Sequence, residues 1–117
     1  MTRDDFNRFC KGLTATDHVV QWGNADVWKV GGKVFALCGW HDGADAFTFK
    51  VGDIAWEVLI DTPGVRPAPY LASRGMKGVQ VHEPRGMSDD SLREHIVASY
   101  DMALARLTKK ARAELGV

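Results

Sequence analysis

Hydrophobic and polar residues along the first half of the chain follow the pattern of β-hairpins. Two runs rich in β-branched and aromatic residues flank the pair Gly31-Gly32. Two glycines in a row supply the positive φ angles that a tight primed turn requires. A third run of the same character follows a polar loop, which extends the hairpin to a three-stranded antiparallel meander. The predicted strands lie at 26–30, 33–38 and 46–51, and a further short strand is expected within 18–22.

Three other segments repeat their apolar residues every three or four positions, which predicts helices. The first covers residues 3–11 after a cap formed by Thr2 and Asp5. The third begins at the N-cap Ser88 and is expected to continue as one helix to about residue 114. The second is short and starts at Asp53, and its apolar side is expected to consist of Ile54, Ala55, Val58 and Leu59.

A second hairpin is expected between these helices, from strands at 70–72 and 78–82. Val79 and Val81 alternate there with polar residues, which indicates a strand with one buried face. The predicted order of elements is therefore α-β-β-β-α-β-β-α. This order favours an α+β two-layer sandwich, an antiparallel sheet with its helices on one face. No linker or repeat interrupts the chain, so residues 1–117 are expected to form a single domain.

Composition narrows the possible functions. The chain has 117 residues, with 15 Lys and Arg against 15 Asp and Glu, so its formal net charge is zero. This balance argues against a protein that binds polyanions strongly. A nucleic-acid function would depend on where the Lys and Arg residues lie. No apolar run approaches the roughly 20 residues that span a bilayer. The first residues lack the apolar core of a signal peptide, so a cytoplasmic monomer without membrane contact is expected.

The residues that commonly carry chemistry form no convincing constellation. Cys10 and Cys38 lie in apolar surroundings and are expected to be reduced, buried thiols, too few for a zinc site. An acid–base or metal site would need the fold to bring His41 close to His18, His82 or Glu83, which their spacing does not require. We therefore expect no metal, no cofactor and no enzymatic activity.

Four short motifs give the whole chain a resemblance to one family. They are Trp22-Gly23, the hairpin at 29–36, the turn Pro67-Ala68-Pro69-Tyr70 and the pair Ser99-Tyr100. In this order and spacing they resemble the MmcQ/YjbR family of small bacterial proteins. The resemblance implies a fold like that of type III secretion chaperones, similar in outline to the frataxin-like sandwich. It also implies DNA binding through a double wing of β-hairpins.

The chain departs from that family at Met76-Lys77-Gly78, where relatives usually have an aromatic residue. The surface of the second wing is therefore expected to differ. On the same resemblance, DNA phosphates are contacted by basic residues of the hairpins and their surroundings. Such contacts add salt-dependent affinity without reading bases, but the same residues are also typical of a solvated surface. The candidate residues are Lys29, Lys33, Arg66, Arg74 and Lys77.

Two further possibilities concern partners. Trp40 and His41 lie in the loop after the second predicted strand, where an exposed indole can stack on a nucleobase or a protein partner. Packing of Trp40 into the core is the alternative. The chain can also be interpreted as a protein-interaction module that docks a polypeptide on its open sheet face or last helix. An uncovered apolar patch would favour that function.

Overall fold

The computed structural model describes residues 1–39, 45–69 and 77–117, apart from the side chain of Pro84. The predicted α+β class and the arrangement of helices and strands are confirmed. The strands are β1 (Thr16–Gln21), β2 (Ala25–Val30), β3 (Lys33–Cys38), β4 (Phe47–Lys50), β5 (Val65–Pro67) and β6 (Gly78–Val81). The helices are α1 (Arg3–Lys11), α2 (Asp53–Leu59), α3 (Asp89–Ala105) and α4 (Lys109–Leu115), with a 3-10 turn at Pro84–Gly86.

The strands form an antiparallel sheet in the order β1-β2-β3-β4-β6-β5. The short strand expected within residues 18–22 is part of the six-residue edge strand β1, in which Thr16 lies opposite Val30. At the other edge, β5 pairs with β6. The strand predicted at 70–72 lies outside the described residues.

The two faces of the sheet bury different sets of residues. Phe6 of α1, Leu59 of α2 and Ile96 of α3 belong to one large apolar cluster with strand residues such as Trp28 and Phe49. Three of the helices therefore pack on the same face. Adjacent residues of a strand point to opposite faces. The smaller cluster of Ala25, Val27 and Leu37 consequently lies on the face away from these helices.

A β-bulge interrupts the pairing of β2 with β3. Trp28 lies opposite Ala36, but the next residue, Lys29, lies opposite Val34. Phe35 is therefore the extra residue of β3, and a bulge of this kind leaves backbone groups without their ladder partners.

Ser99 on α3 supplies one of the missing partners. Its hydroxyl donates to the carbonyl oxygen of Phe35 at 2.6 Å and accepts from the backbone N–H of Lys50 at 3.0 Å. The neighbouring Tyr100 hydroxyl donates to the carbonyl oxygen of Thr14 at 2.6 Å. The Ser99-Tyr100 motif therefore ties α3 to β3, to β4 and to the connection before β1.

The ends of α1 and α3 follow their sequence signals. The Thr2 hydroxyl accepts from the N–H of Asp5 at 3.1 Å, and the Asp5 carboxylate accepts from the N–H of Thr2 at 3.2 Å. These reciprocal bonds form a capping box. Ser88 caps α3 by accepting from the N–H of Ser91 at 3.2 Å.

The predicted buried side of α2 is wrong at two of its four residues. Ile54 and Val58 are 86% and 65% exposed. Ala55 and Leu59 pack on the main core as predicted, together with the half-buried Trp56. Burying an indole removes more apolar surface from water than burying Ile or Val does, since free energy scales with buried area. The helix is therefore rotated so that Trp56 and Leu59 face the sheet.

The prediction of one helix from Ser88 to about residue 114 is also wrong. The α3 helix ends at Ala105, and Thr108 starts α4 by accepting from the N–H of Ala111 at 3.0 Å. A threonine hydroxyl can cap a new helix as readily as it can sit inside a continuous one. Between the helices, Leu107 packs on the β2–β3 turn, and a Cβ atom at Gly31 would lie 2.7 Å from its Cδ1.

Both cysteines are buried and have free thiols. Burial is the main cause that raises the pKa of both, that of Cys38 to about 12. A thiol that stays protonated is a poor nucleophile, so these side chains act as core residues at neutral pH. No helix in the described part of the chain is long and apolar enough to cross a membrane.

Candidate functional site

The basic end of the sheet is the set Lys33, Lys50, Lys77 and Arg106, named here for its charge. In antiparallel neighbours, the start of one strand lies beside the end of the next. Lys33 starts β3 and Lys50 ends β4, and the residue just before β6 is Lys77. Arg106 follows the last residue of α3, next to the leucine that packs on the β2–β3 turn. Four elements thus bring a positive charge to the same end of the sheet.

The charges at this end are poorly compensated within the protein. The pKa of Lys50 is lowered, first by burial and then by the positive charges of Arg106 and Lys33. Among residues 1–39, 45–69 and 77–117, none of these three cations forms an ion pair. An anion bound here would relieve the repulsion and favour the charged form of Lys50.

Lys77 differs from the other three because it has an internal partner. Its ammonium group lies 2.9 Å from a carboxylate oxygen of Asp53, and both side chains are exposed. An exposed pair of this kind contributes only about 0–1 kcal/mol, so an external phosphate can compete for the lysine. The carbonyl oxygen of Lys77 also accepts from the N–H of Val51 at 3.0 Å, which fixes the backbone beside Lys50.

The two lysines of the first hairpin lie on different faces of the sheet. Val30 is fully buried in the main core, so its neighbour Lys29 lies on the face away from α1 and α3. Lys33 is the register partner of Val30, and residues directly opposite each other share a face. Of the two, only Lys33 is among the cations that lower the pKa of Lys50, while Lys29 lies opposite Asp17 of β1.

Arg66 lies on β5, apart from the basic end, and bonds within the protein. Its Nε donates to Oε1 of the buried Gln80 at 2.6 Å, and Gln80 Nε2 donates to the carbonyl oxygen of Gly39 at 3.2 Å. Arg66 thereby connects β5 to β6. The remaining candidates Arg74, Trp40 and His41 lie outside the described residues.

The site also contains Lys50 and Arg106, two residues that no sequence motif indicated. For Arg106, helical spacing in the sequence gives a weak indication. It follows Ser99 by seven positions, so both lie on nearly the same side of a helix. Because Ser99 contacts the N–H of Lys50, that side of α3 faces the end of β4.

The two candidate histidines within the described residues, His18 and His82, are not brought together. His18 lies on the edge strand β1, whereas His82 follows β6 on the other side of β2, β3 and β4. Each has a nearby carboxylate of its own: Asp26 lies 2.7 Å from His18 Nε2, and Glu83 lies 4.0 Å from His82 Nδ1. Within the parts of the chain that are described, no group of three or more His, Cys, Asp or Glu side chains could hold a metal ion.

Comparison with known proteins gives one family and several solved structures of similar fold. The YjbR family model matches residues 11–102. The crystal structure of Deinococcus radiodurans protein DR2400, with domain DUF419, has a TM-score of 0.85 at 23% identity, covering 99% of this chain and 88% of that chain. A protein from Pseudomonas syringae has a TM-score of 0.72 at 18% identity, covering 88% and 99% of the two chains. No curated protein matches the sequence significantly. The two structures show the fold alone, and neither description names a reaction or ligand.

Proposed function

This chain belongs to the YjbR family, and we propose that its basic end binds the phosphate groups of DNA without catalysing a reaction on them. The observation that supports this function is the convergence of Lys33, Lys50 and Arg106 without an ion pair among the described residues. Lys and Arg side chains that repel one another and lack carboxylate partners bind a polyanion more favourably than side chains in ion pairs do, because no internal ion pair has to be broken.

The proposed contacts position the protein on DNA but do not read its sequence. Lysine acts as a point charge on phosphate, and contacts to phosphate carry no direct information about the bases. Each neutralised phosphate releases condensed counterions, so three contacts give a logarithmic salt slope of about −2.7. Because the net charge of the chain is zero, we expect weak binding that depends strongly on salt.

Residues of the double wing are expected to contribute unequally to this binding. In the first hairpin, Lys33 beside the Gly31-Gly32 turn is expected to contribute more than Lys29, because Lys33 is among the cations that act on Lys50, whereas Lys29 lies opposite Asp17. Lys77 connects the site to the second wing, directly before β6. Arg66 is expected to contribute little, since its guanidinium group is bonded to Gln80.

The test is a fluorescence-anisotropy titration of a short DNA duplex at several salt concentrations. Wild-type protein should bind at low salt, and Lys33→Ala/Lys50→Ala/Arg106→Ala should lose most of that affinity while keeping the wild-type circular dichroism spectrum. Absence of binding tighter than about 100 μM at low salt would reject the proposal, because non-specific DNA binders usually reach that range.

A second candidate function is the binding of an extended polypeptide along the edge strand β1. This six-residue strand pairs on one side with β2, and its Val20 is 55% exposed. Such an edge offers backbone groups for strand addition. Val20→Lys should abolish peptide binding and leave DNA binding unchanged. Lys33→Ala/Lys50→Ala/Arg106→Ala should abolish DNA binding and leave peptide binding unchanged.

A further inference from the structure

An open cleft between α1 and the β1–β2 pair forms a second candidate site, separate from the basic end. Its volume is about 620 Å³, most of its lining surface is apolar, and its lining residues include Asn7, Arg8, Lys11, His18 and Trp28. Small-molecule sites usually measure about 300–1,000 Å³, so the cleft is large enough for a small metabolite.

Asp26 lies behind this cleft as a largely buried carboxylate with three hydrogen-bond donors. Arg3 donates through Nε, the His18 Nε2 atom lies at 2.7 Å, and Asn7 donates from its side chain. Burial raises the pKa of Asp26, but the hydrogen bonds from Arg3, His18 and Asn7 together outweigh it, so the pKa is lowered. Asp26 is therefore ionised at neutral pH and accepts hydrogen bonds only.

An ionised Asp26 determines how His18 can act. Nε2 of His18 must carry the proton that Asp26 accepts, which leaves Nδ1 as the second ring nitrogen. Nδ1 accepts a hydrogen bond when the ring is neutral and donates one when the ring is protonated. The ring lies 4.8 Å from that of Trp28, whose Nε1 donates to Asn7 Oδ1 at 2.9 Å. These contacts hold His18 in position at the cleft.

The cleft also has an excess of positive charge. Arg8 and Lys11 lie three residues apart on α1 and are both exposed. Within the described part of the chain, the one ion pair of Arg8 is a long one to Asp5, at 3.5 Å. Asp17 contributes one negative charge to the lining. Two positive charges and one negative charge leave the lining with a net charge of +1.

We propose that this cleft binds a phosphate anion, either inorganic phosphate or the phosphate group of a small phosphomonoester. Arg8 and Lys11 neutralise its charge, and the Nδ1 nitrogen of His18 forms a hydrogen bond with one of its oxygens. Two cations and a ring nitrogen suit a tetrahedral phosphate better than a monocarboxylate, which has two oxygens and one charge.

Nuclear magnetic resonance titrations with inorganic phosphate and glycerol 3-phosphate, at constant ionic strength and pH 6, test the site. Both probes should cause saturable shifts of the Trp28 indole N–H signal and of the backbone amides of Asn7 and Thr16. Tighter binding of glycerol 3-phosphate would identify a phosphomonoester as the ligand, and tighter binding of inorganic phosphate would identify the free ion. Absence of saturation at 50 mM of either probe, roughly the limit of specific weak binding, would overturn the proposal.

Variants separate this site from general attraction of anions and from the basic end. Arg8→Ala/Lys11→Ala should weaken phosphate binding by about tenfold or more, the loss expected for charge-assisted hydrogen bonds. The matched control Arg85→Ala/Arg93→Ala removes two cations that pair with Glu83 and Asp90 elsewhere, and it should bind like the wild type. Equal losses in both variants would contradict the proposal, as would saturable shifts confined to the basic end.

His18→Asn tests the role of the imidazole. Asparagine keeps a donor for Asp26 but lacks the second ring nitrogen. We expect it to weaken phosphate binding by roughly tenfold, the value of one hydrogen bond to a charged group. Binding equal to that of the wild type would contradict a contact from His18 Nδ1.

Discussion

Two groups of charged side chains in this protein are arranged in opposite ways. Around Asp26, one buried carboxylate is shared by Arg3, His18 and Asn7, and every partner comes from the protein itself. At the basic end, burial lowers the pKa of Lys50, and the positive charges of Arg106 and Lys33 lower it further. Because its charges are paired internally, the group around Asp26 contributes to the stability of the fold. The cations of the basic end have few internal partners and are therefore available to an external anion.

The two arrangements differ in what the removal of a charge costs. A compensated buried charge leaves its partners unsatisfied when it is removed, which costs several kcal/mol. Removal of one of several repelling charges leaves no partner unsatisfied. The free energy of unfolding is therefore expected to respond most strongly at Asp26 and least at Lys50.

Asp26→Asn should lower the free energy of unfolding by about 2–4 kcal/mol, since it leaves Arg3 and His18 without their anion. Urea denaturation measures this difference. The control Asp17→Asn, on the exposed strand β1, should change it by no more than about 0.5 kcal/mol. Equal losses of unfolding free energy in the two variants would show that Asp26 contributes no more to stability than an exposed aspartate does.

The pH dependence of stability provides a second measurement on the same variant. The pKa of Asp26 is lowered in the folded protein, so its contribution to stability is fully present above the unfolded pKa of about 3.9. That contribution is lost as the pH falls through the folded pKa. Asp26→Asn should therefore differ most from the wild type at neutral pH, and the difference should shrink in acid.

Ser99→Ala should lower the free energy of unfolding by about 1–3 kcal/mol, because the buried Phe35 carbonyl and Lys50 N–H then lack their shared partner. Tyr100→Phe removes a single hydrogen bond, to Thr14, and should cost about 1 kcal/mol. Thermal denaturation of both variants checks the order. A larger loss in Tyr100→Phe would mean that Ser99 is not what connects α3 to the bulge.

Gly31→Ala should lower the free energy of unfolding by about 1–2 kcal/mol, owing to its positive φ of 56° and its contact with Leu107. Gly32 also has a positive φ, but a Cβ atom added there would meet nothing within 4 Å among the described residues. Gly32→Ala should therefore cost less than Gly31→Ala. The reverse order would show that Leu107 moves away from the turn easily.

The sequence predicted those parts of the fold that depend on local interactions. The capping box at Thr2 and the Gly31-Gly32 hairpin follow from neighbouring residues alone, and both are confirmed. The side of α2 that is buried depends on how Trp56 fits the sheet, so a local pattern could not reveal it. The end of α3 likewise depends on Leu107 meeting a turn about 75 residues earlier.

The candidate site was only partly predictable for the same reason. Lys33 and Lys77 could be selected because they belong to recognisable hairpin segments. Lys50 and Arg106 join them only through the pairing of β3 with β4 and the packing of α3 across both. Lys29 lies on the sheet face opposite to that of Lys33, because adjacent strand residues alternate between faces and its neighbour Val30 is buried in the main core.

Lys50→Met should have the smallest effect on stability. It removes a partly buried cation whose pKa is already lowered by burial and by Arg106 and Lys33. We expect the free energy of unfolding to change by no more than about 0.5 kcal/mol, or to rise. Urea denaturation at pH 7 checks this value. A loss comparable to that of Asp26→Asn would indicate an internal partner for Lys50 and would contradict the contrast between the two groups.

The most direct test of DNA binding at the basic end is the salt dependence of binding for two variants that lose equal charge. Lys33→Ala/Arg106→Ala should flatten the logarithmic salt slope by up to about 1.8, near 0.9 for each lost phosphate contact. Arg85→Ala/Arg93→Ala should leave the slope unchanged, because its cations pair with Glu83 and Asp90. Equal slopes for the two variants would contradict the claim that the basic end is the DNA-binding surface.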